Sequence, residues 1–266
     1  MLIKDQIFIF ASHEAYPDKA VDLALKLSKG AEKPLCFLSY LDKKVKADKG
    51  FIDKVHQDWI RKMEADAPYG VSAHVLPSKA AFYPFMENAE ASMLIFQLSE
   101  HKGYNKVQPF LTLSRELRIP YIFTKPYFEP INLSKVVIPV TFLIEDREKG
   151  PFSSSFGRFF GSELLMMPAN DYGSSAKKNT QAIVTLLDKF KLPYSFIEAK
   201  KDSFKVELEA TLRCEELQAG LVLISASRSY GLDDILFGPK ELHCINEAAV
   251  PIMLINPRAD LYVLCG

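Results

Sequence analysis

The feature that most constrains this chain is that it repeats itself. Ile119-Pro120-Tyr121-Ile122-Phe123-Thr124-Lys125-Pro126 returns as Val250-Pro251-Ile252-Met253-Leu254-Ile255-Asn256-Pro257, an offset of 131. Ala91–Phe96 matches Ala219–Ile224 at 128, and the apolar runs Gln6–Ala11 and Lys135–Val140 stand 129 apart. Three near-equal offsets in one order read as a duplicated domain. The halves are expected over residues 1–128 and 133–257, with a tail at 258–266. The join falls at Glu129-Pro130-Ile131-Asn132, where Pro126 and Pro130 disfavour helix. With 266 residues, two units of roughly this size can each bury a core.

Inside each half, short apolar runs alternate with amphipathic stretches. In the first, strands are expected at Ile7–Ala11, Pro34–Tyr40, Val71–Leu76, Met93–Leu98 and Tyr121–Thr124. A helix from Asp18 should end at Gly30, and Ile52, Val55, Trp59 and Met63 should share the buried face of another. In the second half, strands Val136–Thr141, Glu163–Met167, Tyr194–Ala199, Leu221–Ala226 and Ile252–Ile255 alternate with four helices. These helices lie around Phe152–Phe160, Ala176–Phe190, Phe204–Leu217 behind a Ser203 cap, and Lys240–Glu247. Phe159 and Phe160 read as core. Five nearly continuous apolar strands separated by helices imply a parallel sheet covered on both faces. The fold class is therefore α/β, two tandem doubly wound Rossmann-like domains. Ligands of such folds sit beyond the carboxyl ends of the strands at the switch point, after strands one and four.

Charge narrows the partners. Lysine plus arginine equals aspartate plus glutamate at 33 each, so the basic balance of a nucleic-acid or anionic-membrane binder is missing. The Lys43–Lys54 run is interleaved with Asp42, Asp48 and Asp53 and reads as a solvated face. Apolar runs such as Ala248–Ile255 are far short of the ~20 residues of a membrane helix. The start Met1–Asp5 does not read as a secretory signal. Cys36, Cys214, Cys244 and Cys265 form no CxxC pair or zinc spacing, which with the rest points to the cytoplasm; Cys36 reads as a buried, inert thiol.

Catalytic motifs are missing: there is no GxGxxG, GxxxxGK[ST], HExxH or GxSxG. The five histidines lack ligand spacing, and His56 reads as part of a polar helix face. No set of base, nucleophile and oxyanion donors assembles, so no catalytic residue and no metal ligand is assigned. The informative stretch is Ser225–Lys240, which follows strand four of the second half and ends at a helix start, where backbone N–H groups and the helix dipole can face a phosphate. Gly238 as cap and Pro239 as first helical residue would make an ordinary helix start.

Two halves each closing with (Ile/Val)-Pro and a short apolar strand, with Val-Leu-Ile-Ser-Ala-Ser-Arg before Leu-Asp-Asp-Ile-Leu-Phe-Gly in the second, resemble a tandem member of the universal stress protein family. The resemblance is clearer over 134–257 than over 1–126. It implies a stress-response protein whose two domains pair as a pseudo-dimer within the chain, with a homodimer and protein partners as further options. ATP-binding members carry G-x2-G-x9-G-(S/T) after strand four and an acidic residue closing strand one. Here those positions hold Ser225, Arg228, Gly238 and Pro239, with Thr141 after Pro139 and Val140. Only Gly238 keeps the pattern. Pro239 lacks both the hydroxyl and the backbone donor, each hydrogen bond to charge being worth about 1.5–3 kcal/mol. Arg228 denies close backbone approach, though its guanidinium can bind phosphate. The candidate nucleotide-binding residues are Pro139, Val140, Thr141, Ser225, Arg228, Gly238, Pro239 and Lys240. The first half, with Ser12 closing its first strand and Ser99-Glu100-His101-Lys102-Gly103 after Leu98, reads as structural. The resulting expectation is a binding or scaffold module with a degenerate nucleotide site in its second half. Its alternatives are an ATP-binding, slowly hydrolysing protein using Arg228 and the Gly238 turn, or a sensor of another small ligand near Pro139, Thr141 and Ser225. The tail Leu261–Leu264 is strand-like, and Cys265 lies within it.

Overall fold

The computed structural model describes residues 5–11, 15–41, 48–98, 104–227 and 239–258. It divides into one unit of Met1–His101 with Pro109–Pro130 and a second of Lys102–Gln108 with Ile131–Gly266. Arg228, Gly238, Ser12, His13, the Lys43–Lys46 part of the lysine run, Ser99–Gly103 and the tail with Cys265 lie outside the described residues.

The first unit is built from β1 (Ile7–Phe10), α1 (Asp18–Ala31), β2 (Leu35–Tyr40), α2 (Lys49–Met63), β3 (Val71–Leu76), α3 (Phe82–Asn88), β4 (Met93–Gln97), α4 (Tyr104–Ser114) and β5 (Tyr121–Thr124). Its strands run parallel in the order β3-β2-β1-β4-β5. The crossovers go one way to β2 and β3, then return past β1 to β4 and β5, which is the doubly wound arrangement. β1 is buried along its whole length, as a central parallel strand covered on both faces must be.

Two local expectations fail for identifiable reasons. α1 does not stop at Gly30 but runs through Ala31, and Glu32 takes the left-handed conformation (φ 56°) that ends it, its N–H donating to Ser28 O. In α2 the buried face is Ile52, His56, Trp59 and Met63. His56 sits four residues after Ile52 and three before Trp59, the helical spacing that Val55 breaks, and it is fully buried. Its ring stacks on Phe37 and lies 2.9 Å through Nε2 from Ser39 Oγ.

The second unit contains β6 (Lys135–Val140), a 3-10 turn (Ile144–Glu148), α5 (Lys149–Phe160), β7 (Glu163–Pro168), α6 (Ser175–Lys189), β8 (Tyr194–Phe196), α7 (Val206–Leu212), α8 (Cys214–Leu217), β9 (Leu221–Ser225), α9 (Lys240–Glu247) and β10 (Ile252–Ile255). Its parallel order is β10-β9-β6-β7-β8, so the expected five-stranded parallel sheet is present in both units. The duplication shows in matching hydrogen bonds: Ser92 N donates to Gln6 O (2.9 Å) and Gly220 N to Lys135 O (3.0 Å).

The second unit departs from expectation in detail. The stretch expected as one helix, Phe204–Leu217, is broken at Arg213 into α7 and α8. Ser203 caps neither; it binds the loop after β6 instead. β8 is three residues long, not six. Phe159 is 48% exposed and stacks under Arg158, so it is not core. Pro239 is the N-cap of α9 in extended conformation (ψ 155°), making Lys240 the first helical residue.

Candidate functional site

The two units treat their switch points differently, and proline decides it. In the first unit β1 stays paired with β4 from Ile7↔Met93 through Phe10↔Phe96. In the second, β6 and β9 pair only at Val136↔Leu221 and Val137↔Val222. Lys135 O accepts from Gly220 N ahead of β9, so in β6 the odd-numbered residues direct their N–H and C=O toward β9. Pro139 shares that parity and has no N–H to give. Pairing with β9 stops there, while β6 continues against β7 through Val140↔Pro168.

Side chains fill the opening. Lys149 Nζ, fully buried, donates to Pro139 O (2.7 Å) and pairs with Asp146 (3.0 Å) and Glu207 (3.2 Å). Glu207 accepts from Ser225 N (3.1 Å), so this ion pair takes over the ladder groups that Pro139 leaves without partners. Asp146 accepts from Ser225 Oγ (2.6 Å) and Thr141 N. Burial works against the Asp146 carboxylate, but the Lys149 charge and the Ser225 and Thr141 hydrogen bonds outweigh it and hold its pKa below the ordinary value. Lys240 reaches Glu207 at 2.6 Å. Burial opposes its charge too, and the carboxylates of Glu207, Asp146 and Glu241 keep it protonated well above the usual lysine range. Burial raises Glu241, whose carboxylate takes both Ser227 N (3.3 Å) and Ser227 Oγ (2.9 Å).

Above this ionic floor lies a cavity of about 410 Å³, within the range of small-molecule sites. Thr141, Ser225 and Lys240, three of the candidates read from sequence, line it. Pro139, Val140 and Pro239 do not; Pro139 shapes the site by opening the strands, and its carbonyl is taken by Lys149. Phe142 and Phe204 form an aromatic wall, ring centroids 5.6 Å apart at 68°. Ser203 joins them, accepting from Phe142 N (2.8 Å) and donating to Asp171. Asn179 braces the loop after β6 through the carbonyls of Thr141 (3.0 Å) and Leu143 (2.8 Å). The sequence reading missed Asp146, Lys149 and Glu207. The three-residue spacing of Asp146 and Lys149 was the available signal, and Glu207 had none, since its partners come from three other elements.

The first unit's switch point is closed by a single amide. Gln97, the last residue of β4, accepts from Lys19 N (2.8 Å) and Ala20 N (3.1 Å) and donates to Asp18 (3.1 Å). It occupies the N-terminal donors of α1 that an anion would use. Among the described residues no group of His, Cys, Asp and Glu could hold a metal ion, and no helix is long and apolar enough to cross a membrane.

Known structures share this architecture. A universal stress protein from Archaeoglobus fulgidus DSM 4304 matches 97% of this chain and 98% of its own, with TM-score 0.71 at 13% identity. The chain has the universal stress protein fold. A functionally unknown protein from Pseudomonas aeruginosa PAO1 covers 96% of this chain and 93% of its own (TM-score 0.66, 14% identity). A further structure, from P. aeruginosa UCBPP-PA14, covers 96% and 94% (TM-score 0.64, 12% identity). No family model and no curated protein matches the sequence. The universal stress protein architecture thus persists here at a sequence identity where side-chain roles must be read from this chain's own site.

Proposed function

We propose that this chain is a stress-response binding module of the universal stress protein type, with one small-ligand site in its second unit and none at the switch point of its first. The observation that carries this is the cavity where β6 and β9 part, lined by Thr141, Ser225 and Lys240 and walled by Phe142 and Phe204. It stands at the place where doubly wound sheets hold ligands. The site is a binding site: its lining offers no nucleophile paired with a base, and its carboxylates are tied into the Lys149 and Lys240 network. Nucleotide binding is the second reading. It rests on Lys240, the cation of the described lining, and on Arg228.

Calorimetric and thermal-shift titration of the intact chain tests both, using ATP, ADP and AMP with and without Mg²⁺ beside uncharged and cationic small molecules. A ligand of the cavity stabilises the chain as RT ln(1 + [L]/Kd) and loses affinity in Phe204→Ala, a residue 78% exposed whose removal leaves the core untouched. Binding unchanged in both Phe204→Ala and Lys240→Met would place the ligand elsewhere and defeat the proposal. Micromolar ATP binding lost in Arg228→Ala would establish the nucleotide reading instead.

A further inference from the structure

We propose that the ligand of this cavity is a small organic cation, an amine or ammonium carrying an apolar or aromatic group; this rests on the site proposed above. The argument begins with protons. An anion site needs unspent donors, such as the backbone N–H groups of a nest or helix start. Here the loops after β6 and β9 have spent theirs. Thr141 N is bound by Asp146, Phe142 N by Ser203 Oγ and Leu143 N by Thr141 Oγ1. Ser225 N goes to Glu207, Ala226 N to Ile255 O and Ser227 N to Glu241.

The hydroxyls face the same way. Each serine carries one O–H, and those of Ser203, Ser225 and Ser227 point at Asp171, Asp146 and Glu241. Toward the cavity these oxygens offer lone pairs only. The wall therefore asks its ligand for donors.

The charges agree. Glu145 lines the cavity, and Asp146, Glu207, Glu241 and Asp171 stand directly behind its lining groups. Even with Glu241 neutral, the other four carboxylates outnumber Lys149, Lys240 and Arg147, the last of which is bound to Asn179. Lys240 opposes a cationic ligand, but its ammonium is committed to Glu207 at 2.6 Å. The aromatic wall supplies the remaining element. The Phe142 and Phe204 rings, 40% and 78% exposed, present π faces, and an ammonium within about 6 Å of such a ring is attracted by its quadrupole. A nucleoside phosphate would meet a wall of acceptors and a field of its own sign.

Three probes of one shape and different charge test this on the intact chain: benzylamine, benzyl alcohol and benzoate, with AMP as a fourth, followed by calorimetry and ligand-observed NMR at millimolar concentration. Benzylamine should bind, more weakly as salt rises. Glu145→Gln should weaken it about fivefold, the size of one partly solvated charge interaction, and Lys240→Met should tighten it by about the same factor. Phe204→Ala should weaken it without changing stability. Benzoate or AMP binding in preference to benzylamine, with loss in Phe204→Ala, would overturn the cation proposal and leave the site standing. If none of the four registers, the ligand site itself falls.

Discussion

The two units solve one problem with different chemistry. In both, the residue that ends the fourth strand reaches a carboxylate near the start of the helix after the first strand: Gln97 donates to Asp18, and Ser225 donates to Asp146. In the first unit the strands remain zipped to Phe10↔Phe96, and the long amide spans the remaining distance and caps α1. In the second, Pro139 ends the pairing early, the shorter Ser225 cannot fill the gap, and a buried lysine between two acids does. The difference teaches that losing a single backbone donor can convert a closed switch point into an open one. The ion pair secures the strands from below while the cavity stays above it.

The sharpest way to break this comparison is to remove the wedge. Lys149→Met should cost about 3–5 kcal/mol in urea or thermal denaturation, because it leaves Asp146 and Glu207 buried without their cation. Gln97→Ala, which takes two hydrogen bonds from a helix start at a partly solvated position, should cost about 1–2 kcal/mol. Equal losses would mean that the two closures are equivalent and that the lysine is incidental.

A second, smaller contrast concerns Gly220 and its counterpart Ser92. Their N–H groups make the same bond to the strand beside them. Yet a Cβ on Gly220 would stand 1.5 Å from Asn132 O, a backbone atom that cannot swing aside, whereas Ser92 carries its side chain freely enough to bond Asp5 at 2.6 Å. Gly220→Ala should cost at least about 2 kcal/mol and Ser92→Ala under about 1 kcal/mol. A tolerated Gly220→Ala would show that the linker at Asn132 yields.

These contrasts also mark what was legible in the sequence. The repeat, the order of strands and helices and the parallel sheets follow from apolar periodicity, which records burial, and burial is what sheet layering imposes. Thr141, Ser225 and Lys240 were found because topology alone places strand ends at a ligand site. Phe142 and Phe204 were not, since an aromatic wall brings together residues sixty positions apart with no shared period. Pro139 was read as a contact and acts instead through the N–H it lacks. His56 was assigned to solvent because histidine is usually polar, although its spacing from Ile52 and Trp59 already put it inside. Arg158 keeps Phe159 and Phe190 at the surface by stacking on both rings, and a hydrophobic count cannot see that.

The smallest effect expected concerns thiols, and it compares the units again. Cys36 in β2 and Cys214 and Cys244 in the second unit are free and buried. Burial pushes Cys36 up to about 11, with Ser72 pulling slightly the other way. Burial and then a neighbouring carboxylate, Glu215 and Glu207 respectively, push Cys214 and Cys244 up to about 12. A folded pKa above the unfolded value of about 8.5 stabilises fully below that value, and the contribution is lost as pH rises through the window up to 11 or 12. At about pH 9 each thiol should already cost roughly 0.5–1 kcal/mol, because the unfolded chain can release a proton that the folded chain retains. Replacing any one of them with Ala should flatten the alkaline fall in melting temperature. The effect should be slightly smaller for Cys36→Ala, whose window closes first. In the native chain all three should resist a thiol-specific reagent at neutral pH and react together on unfolding. Selective labelling of Cys36 before the other two would show that the first unit opens independently of the second, and that the amide closure at Gln97 is the weaker of the two.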